Sequence, residues 1–431
     1  GFLALGASDL AVDLIWALAR VRGGGPRFAP PRGQAPPARR LALFVPAWDE
    51  AAVIAPMLRG TLAAYAGVDF RLYLGCYPND PATAAAAAAL ADPRVRIVIG
   101  PRAGPTTKAD CLNALWRALL DDEAAGDPRA DAVLLHDAED VVHPGEPDLF
   151  LRCLDQADLI QLPVLPLLDP ASRFVAGHYA DEFAEAHCKE LVVRQSLGAS
   201  LPSAGVGCAL SRRGLEALAA KGGGCPFDAD SLTEDYELGL RIADAGGRAL
   251  FLRVRDAEGG LIATREYFPG TLAAAVRQKG RWMTGIALAG WDRLGWRGGL
   301  AERWMRLRDR QALLAALLLF AGYASGLLWL ALEVRQGWGG PPPAPLPPIL
   351  ALLVRINLAL LLWRLAVRAA FTAAAYGPAE GLRAVPRAVV GNVIAMLAAV
   401  AALRRYRAMR RTGRAAWGKT RHRFPAEATA E

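Results

Sequence analysis

Ala132-Val133-Leu134-Leu135-His136-Asp137-Ala138-Glu139-Asp140 passes from four apolar residues straight into a turn that carries three acids. A run this short, bounded by turn-forming residues, reads as a fully buried strand rather than a helix. The same pattern repeats upstream, where residues 41–46, 70–77 and 95–100 read as strands, as do 132–137. Between them, residues 50–66, 83–91 and 108–120 read as helices. Such alternation predicts right-handed βαβ units and an α/β fold whose mainly parallel sheet is covered on both faces. Ligands of such sheets bind beyond the carboxyl ends of the strands, so chemistry is sought in the polar residues there.

The rest of the 431-residue chain differs in kind. Hydrophobic residues make up 53% of it, and the excess is localised. Residues 312–332 contain no charge over 21 positions, enough to cross a hydrocarbon core of roughly 30 Å at about 1.5 Å per residue. Residues 349–365 form a second apolar segment, set off by the proline-rich loop 341–348. A third, 389–403, would measure only about 22 Å as a helix, short for a crossing. Residues 2–19 are apolar apart from Asp9 and Asp13 and predict an amino-terminal membrane helix, with truncation before Gly1 as one reading of a start without methionine. A cleaved signal peptide is the competing reading, but no basic segment precedes the stretch. The expected organisation is a membrane helix over 1–22, a Pro/Gly/Arg linker over 23–40, a catalytic domain over 41–300, membrane and interfacial helices over 301–403, and a basic tail over 404–431.

The formal charge of +8 does not point to nucleic acid. Nine Lys or Arg and no acid lie between Arg404 and Arg423, directly after an apolar segment. That arrangement fits an anionic membrane surface, with a solvated tail as the alternative. Six cysteines stand singly with no C-x-x-C pair and read as reduced thiols.

Four polar motifs fall where this fold would use them. Pro46-Ala47-Trp48-Asp49-Glu50 ends the first strand and opens a helix whose N-terminus can receive an anion. Asp137 and Glu139, two acids at i and i+2 after a strand, can converge on one hard cation; Asp140 is the alternative ligand, and an acidic strand-capping turn the structural one. Thr233-Glu234-Asp235-Tyr236-Glu237 precedes a helical run. There Thr233 is a candidate N-cap, and Asp235 a candidate general base for an acceptor hydroxyl. Gln278-Lys279-Gly280-Arg281-Trp282 offers an amide, a bidentate phosphate grip and a flat apolar platform, or else an interfacial anchor.

Taken in order, these motifs resemble the processive family 2 glycosyltransferases, the group of cellulose and hyaluronan synthases, with its D-x-D, T-E-D and Q-x-x-R-W signatures. Lys108-Ala109-Asp110-Cys111-Leu112-Asn113 is similar to that family's K-x-x-x-L-N helix. The bacterial phage adsorption protein B group of inner-membrane glycosyltransferases is closer still, its pattern reaching Asn357, Arg364, Tyr376-Gly377, Pro386-Arg387 and Gly391-Asn392. The resemblance implies a GT-A catalytic domain, inverting transfer of a hexose from a nucleotide-sugar such as a UDP-sugar, and Mg²⁺ or Mn²⁺ held by Asp137 and Glu139. By the same resemblance Glu50, Asp80, Lys108, Asp137, Gln278, Arg281 and Trp282 bind the donor and Asp235 is the base. Gly205, Gly207, Cys208 and Glu234 form the acceptor loop. Two positions depart from the pattern: Tyr77-Pro78-Asn79-Asp80 replaces two acids and a glycine, and Glu139 replaces an aspartate.

The implied partners are a glycan or lipid-linked acceptor and membrane lipids, with room for an outer-membrane or periplasmic export partner and no nucleic acid. The implied location is the bacterial inner membrane, multi-pass, with the catalytic domain cytoplasmic. A membrane receptor or assembly scaffold with little catalysis is the alternative, and a nucleotidyltransferase would not call for the T-E-D and Q-x-x-R-W motifs. Positive-inside arithmetic then predicts two crossings after the catalytic domain, with 389–403 in the interface or re-entering. Asp9 and Asp13 share a helix face and need a partner, for which Arg355 is the first candidate.

Overall fold

A computed structural model describes residues 1–21, 37–342, 344–412 and 423–425. Most of the expected linker and most of the basic tail lie outside these residues. Seven strands make one sheet: β1 (Leu41–Pro46), β2 (Phe70–Cys76), β3 (Val95–Ile99), β4 (Ala132–Leu135), β5 (Leu159–Gln161), β7 (Cys208–Ser211) and β8 (Ala249–Phe251). Their order is β3-β2-β1-β4-β7-β5-β8, and β6 (Val164–Pro166) pairs separately with β9 (Thr264–Glu266). The four strands foreseen are present and mutually parallel, although β4 ends at Leu135, leaving His136 and Asp137 in the turn. β7 is antiparallel to both β4 and β5, so the sheet is mixed.

Helices α2 (Ile54–Ala64), α3 (Pro81–Ala88), α4 (Lys108–Ala124), α5 (Glu146–Cys153), α6 (Gly177–Glu185), α7 (Leu191–Ser196), α8 (Arg212–Lys221) and α9 (Glu234–Asp244) accompany the strands. Every residue of β1 and β4 is buried, which is why these strands read as continuous apolar runs rather than alternating ones. One core contains Leu43, Ile54, Leu72 and Phe150, and the other contains Phe44, Leu115, Trp116 and Leu210, so alternate residues of one strand serve opposite faces.

Beyond the sheet run α10 (Leu272–Met283), α11 (Gly290–Leu294) and α12 (Leu300–Arg310). Among the described residues, four helices are long and apolar enough to cross a membrane: α1 (Phe2–Val21), α13 (Ala312–Gly337), α14 (Pro348–Tyr376) and α15 (Pro378–Thr412). The third apolar segment is therefore not a short isolated piece. It is the middle of a 35-residue helix that extends through charged residues on both sides, which hydropathy alone truncates. All six cysteines are free.

Arg355 does not neutralise the α1 acids, because it is exposed nine residues before Arg364 on α14. Asp13 instead accepts from Lys189 and from Trp363 Nε1 at 2.8 Å, and Asp9 pairs with Arg308 at 3.0 Å and Arg364 at 3.4 Å. Lys189 also meets Glu185 at 2.6 Å, and Glu185 meets Arg364 and Arg368. Lys189 sits in a π-helical turn, Ala186–Glu190, that follows α6. The α/β domain, not the neighbouring apolar helix alone, supplies the counter-charges.

Candidate active site

A cavity of about 580 Å³ opens where β4, α4, α9 and α10 converge. Its wall includes Lys108, Asp137, Glu139, Glu234, Asp235, Gln278, Arg281 and Trp282, contributed by three of the four polar motifs and by the helix that starts at Lys108.

Each is placed by an identifiable local device. The acidic turn after β4 is held from behind by His136, whose Nδ1 and Nε2 bond Asp140 at 2.8 Å and Glu146 at 2.7 Å, all fully buried. Asp140 also accepts from the Asp137 amide at 3.0 Å, and Tyr65 donates to Glu146 at 2.7 Å. Asp140 is thus part of the support and not a ligand pointing outward. Burial alone would depress the imidazole, but Glu146 and Asp140 outweigh that and push His136 up to about 10.

Lys108 is the first residue of α4, capped by Thr107, whose hydroxyl accepts from Asp110 N at 3.2 Å and donates to Ala229 O at 2.8 Å. Its ammonium lies 2.5 Å from Asp137 and 3.4 Å from the Gly205 carbonyl. Burial opposes the charge, yet Asp137, Glu234 and Asp235 hold the lysine well above its ordinary value.

Glu234 and Asp235 open α9. Burial, reinforced by the neighbouring Asp235, pushes Glu234 up to about 7, and burial raises Asp235 in the same direction. Thr233 stands at the N-cap position, but its side chain makes no capping bond, and Oγ1 is buried without a partner among the described residues. Gly205, at φ 77°, lies where an added Cβ would come within 2.9 Å of the Asp235 Cβ. Both the left-handed backbone and the close approach require glycine there.

The wall of the loop is made by Ser203, Ala204 and Val206 rather than by Gly205, Gly207 and Cys208. Cys208 is buried in β7, with Ser203 Oγ 3.3 Å from its sulfur. Its alternation in the strand sends the side chain into the core, and burial pushes the thiol up to about 12. Gly207 instead gives room to Thr264, whose hydroxyl oxygen an added Cβ would approach to 2.2 Å.

Glu50 and Asp80 are not on the cavity wall. Both are buried, and they belong to a junction between β1 and β2 where Asp80 accepts from Asp49 N at 2.5 Å and Glu50 N donates to Thr83 Oγ1 at 2.9 Å. Asp49 turns the chain there in the left-handed region, at φ 56°. Trp282 packs against Phe183, Phe268 and Tyr179 while facing the cavity. Gln278 Oε1 and Arg281 Nε are buried and lack a partner among the described residues.

Several participants were missed. Gln161, at the end of β5, shapes the loop by donating to Leu162 O and Val206 O at 2.8 Å and accepting from Ala204 N at 2.8 Å. A polar residue closing a buried strand was the available signal. His187 lines the cavity as a neutral ring, lowered to about 3 by burial, and accepts from Val164 N at 3.1 Å. Asp9 and Val12 of α1, Met305 and Arg308 of α12, and Arg364 of α14 extend the wall toward the membrane helices.

Residues 36–285 match the family described as "Glycosyltransferase like family 2". The chain belongs to that family. It is 34% identical over 462 aligned residues to bacteriophage adsorption protein B of Escherichia coli (strain K12), covering 97% of this chain and 60% of the relative. The same figures hold for bacteriophage N4 adsorption protein B of Escherichia coli O157:H7. The chain thus spans about 60% of the length of these curated relatives. Among solved structures, the mannosyltransferase PcManGT from Pyrobaculum calidifontis, in complex with GDP-Man and Mn²⁺, superposes with a TM-score of 0.54 at 19% identity, covering 91% of this chain and 97% of that one. That likeness, with the mostly parallel sheet, establishes the GT-A fold for this glycosyltransferase-family chain.

Proposed function

We propose that this chain is a membrane-bound inverting glycosyltransferase that moves a hexose from a nucleotide-sugar, a UDP-sugar in the first instance, to a polysaccharide or glycolipid acceptor. The observation that carries this reading is the convergence of three of the four polar motifs, together with Lys108, on one cavity. Asp235 is the base: its carboxylate, at a rigid helix start beside the loop 203–206, takes the proton of the acceptor hydroxyl as that oxygen attacks the anomeric carbon. Arg281 and Gln278, whose buried Nε and Oε1 have no partner among the described residues, bind donor oxygens, and Trp282 gives the sugar a flat apolar face.

The carboxylates of Asp137 and Glu139 are hard oxygen donors set among buried acids, a fit for Mg²⁺ or Mn²⁺. Among the described residues no three His, Cys, Asp or Glu side chains form a complete metal site, so donor phosphates would complete the coordination. Bound there, the ion would supply positive charge to the departing diphosphate. Glu50 and Asp80 would contact the nucleoside from the β1–β2 junction.

The likeness to a mannosyltransferase holding GDP-Man and Mn²⁺ supports both donor class and metal. The four apolar helices and the relatives' names favour a bacterial inner-membrane enzyme with a cytoplasmic catalytic domain. A receptor or scaffold role is separated by one experiment: purified protein is offered a panel of UDP- and GDP-sugars with Mn²⁺ or Mg²⁺, and release of nucleoside diphosphate is followed. Release that Asp137→Ala or EDTA abolishes is expected. No release from any donor, or full release in excess EDTA, would count against catalysis or against the metal respectively.

A further inference from the structure

Lys108 is a cation where helix physics disfavours one. The first turn of a helix presents unpaired N–H groups and the positive end of its dipole, so an ammonium there is repelled unless something else compensates. The side chain is nevertheless only 11% exposed and is turned into the acidic wall, 2.5 Å from Asp137. Glu139, Glu234 and Asp235 line the same cavity. The Cα is fixed by the Thr107 cap and its link to Ala229, while the four-carbon stem can rotate.

We propose that Lys108 stands in for the divalent cation: its ammonium occupies Asp137 in the free protein and leaves it when a nucleoside diphosphate arrives. This rests on the reading of Asp137 and Glu139 as the metal-holding pair. An ammonium and a divalent ion on one carboxylate repel each other, so the ion alone meets a site already neutralised. A diphosphate brings several negative charges to the mouth of the same cavity and to the α4 N-terminus, an anion site in its own right. Lys108 can then exchange Asp137 for a phosphate oxygen, which frees the carboxylate for the ion. Metal and nucleotide therefore bind as a coupled pair, each raising the other's affinity by the same factor. A free site without nucleotide is kept closed by its own lysine, and the acid cluster is kept from collecting stray divalent ions.

The test is Mn²⁺ binding to the purified full chain in detergent, read by electron paramagnetic resonance, with and without UDP or GDP. For the unaltered protein, nucleotide should tighten Mn²⁺ at least about 10-fold, within the usual range of coupling between sites. Lys108→Met and Lys108→Gln should bind Mn²⁺ alone roughly 10-fold more tightly and lose most of the nucleotide effect, while Lys108→Arg keeps the weak free-site affinity. Unchanged or weaker Mn²⁺ binding by folded Lys108→Met and Lys108→Gln overturns the inference and leaves the metal pair standing. If Asp137→Ala binds Mn²⁺ as the unaltered protein does in the presence of nucleotide, the metal pair itself is wrong, and the inference falls with it.

Discussion

The two ends of the cavity treat charge in opposite ways. At the strand ends, four carboxylates line the wall with Lys108 and Arg281, and Thr233, Gln278 and Arg281 each bury a polar atom with no partner among the described residues. Toward the membrane helices, Asp9, Asp13, Glu185, Lys189, Arg308, Arg364 and Arg368 are joined to one another. Arg194 makes a two-point bond to Asp309 at 2.8 and 2.9 Å, and Tyr236 donates to the same acid at 2.7 Å. Unmatched groups are costly unless a ligand completes them, whereas matched ones hold parts together. The first end is built to receive something and the second to join the catalytic domain to its membrane helices. Tyr236, next to Asp235, ties them together.

The comparison is tested most strongly at Asp235. Asp235→Asn removes a proton acceptor from the receiving end without emptying space, so nucleotide binding should be nearly intact while transfer falls about 10²–10⁴-fold. Turnover comparable to the unaltered enzyme would remove Asp235 from the mechanism. At the joining end the expected loss is structural. Lys189→Met leaves buried Asp13 with only the Trp363 N–H and Glu185 with Arg364 and Arg368. Breaking a buried pair outright costs about 3–5 kcal/mol, so a loss up to that size is expected. Thermal unfolding in detergent should show it, and a fully stable variant would mean that the network contributes little to holding α1.

A smaller effect distinguishes the ends by pH. Glu234 ordinarily titrates near 4.5 and is raised to about 7 in the fold by burial and by Asp235. The folded chain keeps a proton that the unfolded chain releases, so this group's contribution is complete below about pH 4.5 and is lost as pH rises through 7. Glu234→Gln should therefore raise Tm above pH 7, by roughly 2–4 °C per kcal/mol recovered, and do little at pH 4. An equal shift at both pH values would show that crowding of charge is not what burdens this end.

The contrast also explains what the sequence could tell. Receiving residues sit in short motifs at strand and helix ends, so Asp137, Lys108, Asp235 and Arg281 were visible as local patterns with a resemblance to order them. Joining residues are meaningful only in pairs far apart in the chain: Lys189 with Asp13, Arg194 with Asp309. Composition and hydropathy do not distinguish Arg364, which lines the cavity, from Arg355, which is exposed; only the resemblance singles out Arg364. Cys208 fails for a related reason, because motif spacing places it in the loop while strand alternation turns its side chain inward. Hydropathy truncates helix α15 to 389–403 because it registers the apolar middle and not the packing that continues the helix past Arg387 and Arg404.

That packing bears on the last prediction, whose expected signal is the smallest: none. Two crossings after the catalytic domain require α15 to stay on the domain's side although its 35 residues, about 52 Å, are long enough to cross. Near its start, Arg387 is buried against Asp181 at 2.9 Å and donates to the Arg173 carbonyl at 2.8 Å. In its middle, Gly280 of α10 meets Ala398 and Ala401, and Thr284 lies 3.4 Å from the Ala402 carbonyl. Near its end Tyr406 reaches Asp292. Attachments to catalytic-domain and adjoining helices at both ends and the middle suit a helix lying along the domain at the membrane surface, with the basic face beyond Arg404 toward anionic lipid. The α13–α14 hairpin would then supply both crossings. A cysteine placed at Thr412 in a cysteine-free background should resist an impermeant thiol reagent added to intact cells and react once the membrane is opened. Labelling from outside would mean that α15 crosses, and the contacts of Arg387 and Tyr406 could not both persist in the membrane.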